Sequence, residues 1–303
     1  MTIFSKAKIF LEKIEYLRIR LVLKILRESK KTFLSKQQQI IKDKFDNSQT
    51  EPSLNKSEIR KQKIIVSLTS FPPRYEALHK CLLSLLKQTV RPDKIIVWLY
   101  KEEFSLTEEM EDLKKYGIEY KTVDKNLKPH KKYFYAMKEF PNDLIITVDD
   151  DVIYPENCIE TLITTHKKFP DSVCANRVNK ITKKINGDIF EYKYWINNFN
   201  KSVKPSHKLI ATGCGGVLYP THSIPEEFLN AEKIKAYCLN ADDIWLKFAE
   251  LKNDIKVVWT GTNFILPYEI EESQKISLAA SNVNQNKNDF YIKECEKLWK
   301  IKL

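Results

Sequence analysis

From Lys63 onward, short apolar runs alternate with stretches whose apolar residues recur at helical spacing. Ile64-Ile65-Val66-Ser67-Leu68 is apolar and rich in β-branched residues, and Thr69-Ser70-Phe71-Pro72-Pro73 closes it, which predicts a buried strand ending in a turn. Tyr75 to Gln88 places Leu78, Leu82, Leu85 and Leu86 on one side of a helix. Lys94 to Tyr100 is a second strand, Leu106 to Tyr116 a second helix ended by Gly117, and Ile118 to Val123 a third strand. His130 to Phe140 is a third helix, and Asp143 to Val148 a fourth strand running into Asp149-Asp150-Asp151. Strands that alternate with helices imply βαβ units, hence an α/β fold with a mainly parallel sheet flanked by helices. Ligands of such sheets bind beyond the carboxyl ends of the strands, and both Thr69-Ser70 and the Asp triplet lie at such ends.

Beyond residue 160 the pattern is less regular. Glu156–Lys168 is helix-like and leads into a polar, aromatic stretch with Tyr192, Tyr194, Trp195 and Phe199. Gly213-Cys214-Gly215-Gly216, a helix-like Ala241–Leu251, a strand at Ile255–Trp259 and a terminal helix at Phe290–Ile301 follow. At the other end, Ile3, Ala7, Phe10, Ile14, Leu17, Leu21 and Ile25 form one stripe of a helix over residues 3–34, with Lys6, Lys13, Arg20 and Arg27 on another side. Such a basic amphipathic helix either lies on an anionic membrane surface or packs on protein. Residues 35–61 are polar and read as a linker. The expected division is therefore a helical extension and linker over 1–61 and one domain over 62–303.

Composition narrows the function classes. At 43% hydrophobic and 11% aromatic residues the chain is not a disordered polymer. No apolar run reaches the roughly 18 residues of a membrane-spanning helix, and Glu12 and Lys13 interrupt the only apolar start, so no signal peptide is expected. None of the six cysteines forms a C-x-x-C pair, which argues against a zinc knuckle or redox motif, and with no export signal expected the thiols should stay reduced in a cytoplasm. The net charge of +11 is uneven: residues 1–61 carry +8 and the remainder only +3. A nucleic-acid partner, and a metal-dependent nuclease with it, are disfavoured because the domain carries no obvious basic stripe.

Three motifs bear chemistry. Three carboxylates after an apolar strand are costly to bury alone, and a hard divalent cation, Mn²⁺ or Mg²⁺, offsets them. If the backbone stays extended, Asp149 and Asp151 point the same way and form the ligand pair; the alternative is an acidic strand-end turn. The chain has six glycines, three of them within residues 213–216, which form either an anion cradle or a tight turn. Asp242-Asp243 opens a helix, either as a favourable acidic first turn or as a general base beside a site. Lys132, Arg74, Tyr194, Trp195 and His222 are weaker candidates for ligand contacts.

In their order along the chain, VSLTSFPPRYEALHKCLLSLLKQTVRPDKIIVWLY, LIITVDDDVIYP, GCGGVLYP and NADDIWLK resemble bacterial GT-A-fold glycosyltransferases of the family-2-like, surface-polysaccharide type, over about residues 63–268. The resemblance implies a Rossmann-like GT-A domain. It also implies a hexosyltransferase-like enzyme moving a sugar from a nucleotide-diphosphate sugar to a glycan or lipid-linked glycan acceptor, with inversion, in polysaccharide biosynthesis. By this likeness Asp149, Asp150 and Asp151 occupy the D-x-D position that holds metal and donor, with Asp149 and Asp151 as metal ligands. Thr69, Ser70 and Arg74 fall where the first strand's loop meets the nucleotide, and Lys132 near the base or ribose. Asp242-Asp243 matches the acidic pair whose second member is the base, which points to Asp243.

The second strand departs from the family: it ends Trp98-Leu99-Tyr100, with Glu102 and Glu103 displaced, where an acidic pair commonly reads the nucleotide base. A membrane-bound acceptor at the inner face of the plasma membrane fits the basic helix. The competing readings are a sugar nucleotidylyltransferase, which lacks its expected glycine-rich, arginine-bearing loop here, and a non-catalytic scaffold derived from a transferase.

Overall fold

A computed structural model describes residues 14, 17, 18, 21, 35–261, 266–271 and 287–303. Four strands build the first half of the sheet: β1 (Ile64–Thr69), β2 (Lys94–Tyr100), β3 (Ile118–Val123) and β4 (Leu144–Thr147). The helices α2 (Tyr75–Leu86), α3 (Glu108–Lys114) and α4 (Lys131–Glu139) connect them. β1 and β2 are buried along nearly their whole length because helices cover both faces of a parallel sheet, and continuous rather than alternating apolar runs follow from that. Gly117 takes φ +90° just past α3, the backbone that a glycine at a helix end supplies.

The full sheet has seven strands in the order β10-β6-β9-β4-β1-β2-β3, where β6 is Val173–Ala175, β9 Val217–Tyr219 and β10 Val257–Trp259. All neighbouring pairs are parallel except those of β9, which runs antiparallel to both β4 and β6. This mostly parallel, helix-flanked sheet is a GT-A, Rossmann-like architecture. The chain leaves β1 toward β2 on one side and later returns as β4 on the other, so the strand order switches at β1/β4. The predicted strands at 64–68, 94–100, 118–123 and 143–148 are all present. β6 and β9, three residues each, are too short to leave a periodic signal.

Residues 35–61 differ from the expected linker. Residues 35–46 form a helix, α1, and Ile41 is buried beside Ala77, Ile153 and Ile270. The following strap is tied down by Ser53 N–H to the Leu86 carbonyl (3.1 Å), Asn55 N–H to the Pro92 carbonyl (2.9 Å) and an Arg60–Asp93 ion pair (3.0 Å). Isolated apolar residues such as Ile41 carry no periodicity, so only their burial against the domain reveals them. The helix expected over 3–34 lies mostly outside the described residues. Of its stripe, Ile14, Leu17 and Leu21 are described, helical and exposed, Leu17 to 61%.

The remaining helices are α5 (Cys158–Lys168), α6 (Ala231–Tyr237), α7 (Asp242–Lys252) and α8 (Lys287–Trp299). Trp299 of α8 stacks on Phe228 (ring centroids 3.9 Å apart) and meets Trp245 of α7 edge-on (5.4 Å), so the C-terminal helix belongs to the core. All six cysteines are free, and no helix among the described residues is long and apolar enough to cross a membrane.

Candidate active site

A cleft of about 970 Å³ opens at the carboxyl ends of β1 and β4. Sheet register explains its first contact. Ile64 pairs with Leu144 and Ser67 with Thr147, and the same offset carried past the strand ends sets Ser70 against Asp150. Ser70 Oγ donates to Asp150 Oδ2 at 2.5 Å, and Arg74 Nη1 lies 2.7 Å from Asp150 Oδ1 and 3.1 Å from Asp151 Oδ2. Arg74 Nε is buried without a hydrogen-bond partner among the described residues, a donor still unmet.

Extended backbone ends at Thr147, and the chain bends at Asp150 and Asp151. Strand alternation therefore does not carry through the triplet. Asp150 and Asp151 share Arg74, whereas Asp149 faces Lys132, whose Nζ lies 2.7 Å away. Tyr154 accepts the Asp149 N–H at 2.9 Å, and the Cys81 thiol donates to its carbonyl at 3.2 Å, which pins the backbone there. Burial, then the charges of Asp149 and Asp150, push the Asp151 carboxyl up to about 7 against the pull of Arg74. The triplet thus holds more negative charge than its own cations relieve.

The oxygen donors suit a hard divalent cation. Among the described residues, however, no three acidic, imidazole or thiol groups converge to hold a metal alone. Two carboxylates are what a cation shared with substrate phosphates requires, so the donor set fits Mn²⁺ or Mg²⁺ in that mode.

Lys132 is placed differently from the sequence expectation. Its side chain is buried rather than turned to a nucleotide, and its ammonium bridges Asp149 and Asp242, the latter at 2.9 Å. Burial would lower its pKa, but the surrounding aspartates hold it well above the usual lysine value. Gly213 makes this packing possible, since a Cβ there would sit 2.7 Å from Lys132 Nζ and 3.0 Å from Asp149 Oδ1. The glycine run is a tight 3₁₀ turn between β8 (Leu209–Ala211) and β9, and Gly216 takes φ +84°.

Asp242 and Asp243 have opposite environments. Burial works to raise the Asp242 pKa, but Lys132 and then His130 overcome it and hold the carboxyl below its usual value. Asp243 is half-buried, and its Oδ1 accepts the Gly213 N–H at 3.2 Å. Burial first, then Asp242 and Asp149, push it well above the usual range, with Lys132 opposing.

All nine predicted site residues line the cleft: Thr69, Ser70, Arg74, Lys132, Asp149, Asp150, Asp151, Asp242 and Asp243. The Thr69 hydroxyl is already committed to the Trp98 carbonyl at 2.7 Å. Trp195 is core, and His222 lines a separate cavity of about 510 Å³ with Pro220 and Met137. Sequence reasoning missed Arg177 and Asn288, which enter from outside the motifs. The displaced Glu103 does reach the cleft, where it accepts from Asn126 at 3.3 Å, and burial pushes the Lys131 amine beside it down to about 8.

Residues 66–216 match a family model described as glycosyl transferase family 2. No curated protein sequence matches the chain. Solved structures similar to parts of it include the following three. Glucosyl-3-phosphoglycerate synthase from Mycobacterium tuberculosis, in complex with Mn²⁺, UDP-glucose and phosphoglyceric acid, is 12% identical over 38% of this chain and 43% of its own, less than half its length, with a TM-score of 0.32. S. aureus TarS 1–349 is 15% identical over 79% and 72%, with a TM-score of 0.42. A mannosyltransferase from Pyrobaculum calidifontis, in complex with GDP-mannose and Mn²⁺, is 9% identical over 94% and 76%, with a TM-score of 0.49.

Proposed function

We propose, on the match of residues 66–216 to a glycosyl transferase family 2 model, that the protein is a glycosyltransferase carrying out a metal-dependent, inverting transfer of a hexose from a nucleotide-diphosphate sugar to a glycan or lipid-linked glycan in polysaccharide biosynthesis. The observation that carries this reading is the divided acidic pair. Asp242 is neutralised by Lys132, and Asp243 beside it keeps a high proton affinity at the cleft wall. Two neighbouring carboxylates pushed apart in this way mark an acid–base assignment.

In this reading Asp149 and Asp151 would hold Mn²⁺ or Mg²⁺, which would supply charge neutralisation at the leaving diphosphate. Ser70 and Arg74 fix Asp150 at the nucleotide end. Asp243 takes the proton of an acceptor hydroxyl as that oxygen bonds to the anomeric carbon. The bond from the anomeric carbon to the diphosphate oxygen breaks on the opposite face, and its electron pair leaves with the nucleoside diphosphate. Lys132 keeps Asp149 and the acidic pair at fixed separation. The Gly213–Gly216 turn and the loop around Tyr192 form the acceptor side.

We also propose that the enzyme works in the cytoplasm, on the inner face of the plasma membrane. The +8 charge of residues 1–61 and the exposed Ile14, Leu17 and Leu21 support contact with an anionic surface. The test is release of nucleoside diphosphate from a panel of UDP- and GDP-hexoses, with Mn²⁺ and with EDTA. Mn²⁺-stimulated release is the expected result, and no release from any donor would refute the reading.

A further inference from the structure

The family match ends at Gly216, yet the cleft has a wall that comes from much later in the chain. The first turn of α8 supplies it. One side of that turn is tied to the loop opposite, where the Tyr192 N–H donates to Asp289 Oδ1 at 2.7 Å. The other side is tied to the residue before Ala241-Asp242-Asp243, where Asn240 Nδ2 donates to the Tyr291 hydroxyl at 3.2 Å. At its far end the helix is locked by Trp299 against Phe228 and Trp245. Asn288 therefore sits on a rigid element, and one of its two ties adjoins the stretch that carries Asp243.

Asn288 is only 7% exposed and lines the cleft, and it makes no hydrogen bond among the described residues. Its amide atoms keep access to the cleft, so a ligand hydroxyl can reach them. Its neighbours across the cleft are of the same chemical kind. Asn179 is buried and donates to the Tyr192 hydroxyl at 3.3 Å, and burial first, then the nearby Asp243, pushes the Tyr192 phenol up to about 12. Amides and phenols both donate and accept, as the hydroxyls of a sugar do. The charges here are Asp243 and Glu269 against Lys193 and Arg177, the last of which already serves Asn198 and the Cys214 thiol. The two signs balance, so the uncharged donors and acceptors set the chemistry, and a neutral acceptor fits them.

We infer that α8 completes the acceptor subsite and that Asn288 hydrogen-bonds a hydroxyl of a neutral saccharide acceptor. The inference rests on the glycosyltransferase reading of the cleft. Its test uses the full chain with Mn²⁺, UDP- and GDP-hexoses, and octyl glucoside, galactoside and mannoside as acceptor probes. Nucleoside diphosphate release and the mass of the octyl product are measured. At least one glycoside should accelerate release and appear as an octyl disaccharide. Asn288→Ala should raise the KM for that glycoside about tenfold, the worth of one hydrogen bond, while the donor KM stays where it was. Should Asn288→Ala fail to fold, Asn288→Leu, close in size and unable to hydrogen-bond, carries the same comparison. An unchanged acceptor KM would overturn the role of Asn288. Donor turnover that no neutral glycoside accelerates would overturn the acceptor class. Absence of turnover with every donor is a different result, and it defeats the underlying reading instead.

Discussion

The Lys132 ammonium lies 2.9 Å from the Asp242 carboxylate, and through that contact the helix before β4 is coupled to the helix that carries the candidate base. The same nitrogen holds Asp149, so one buried cation joins the two acidic motifs that lie far apart in sequence.

Removing that cation should cost stability as well as function. Lys132→Met leaves Asp149 and Asp242 buried without their partner, and breaking a buried ion pair from one side costs about 3–5 kcal/mol. Urea unfolding should show the loss as a lowered midpoint at unchanged slope. A midpoint equal to that of the wild type would mean that the aspartates find another partner.

Asp243→Asn keeps shape and removes proton affinity. Transfer should fall by about 10²–10⁴, the range of general-base catalysis, while donor binding measured by calorimetry stays close to that of the wild type. Full transfer activity in this variant would remove Asp243 as the base.

Stability should fall as the solution is acidified through the histidine range. His130 is buried, its Nε2–H donates to the Cys238 carbonyl at 2.8 Å, and its Nδ1 accepts from the Tyr133 hydroxyl at 2.7 Å, a pattern that needs the neutral ring. Burial, resisted by Asp242, pushes its pKa down to about 4 from 6.5. The unfolded chain takes up the proton first, so stability is intact above pH 6.5 and declines toward pH 4, by about 3 kcal/mol in all. Chemical denaturation at stepped pH, compared with His130→Gln, measures it. Equal slopes in the two proteins would assign the acid sensitivity to other groups.

Membrane contact is checked by flotation with vesicles containing anionic lipid. The full chain should float, and a chain lacking residues 1–34 should stay behind; high salt should weaken the association because surface charge is screened. Equal flotation of both chains would place the contact elsewhere.

Much of this protein was legible in its residues. Four apolar runs, each long enough to be buried on both faces, predicted β1 to β4 and the helices between them, because a covered parallel strand must be apolar throughout. The strand-end position of Ser70 and of the Asp triplet followed from the same pattern, as did the helix opened by Asp242-Asp243. What the residues left open, only packing decided. The three-residue β6 and β9 are strands because their neighbours pair with them, and Ile41 is core because Ala77 and Ile270 meet it. Asp149 faces Lys132, and Asp151 faces Arg74, because the chain bends at the triplet, which no alternation rule anticipates. Asn288 reaches the cleft only because Trp299 anchors its helix on Trp245. Local periodicity reports which face of an element seeks burial; the partner it finds across long sequence separations is a property of the folded chain.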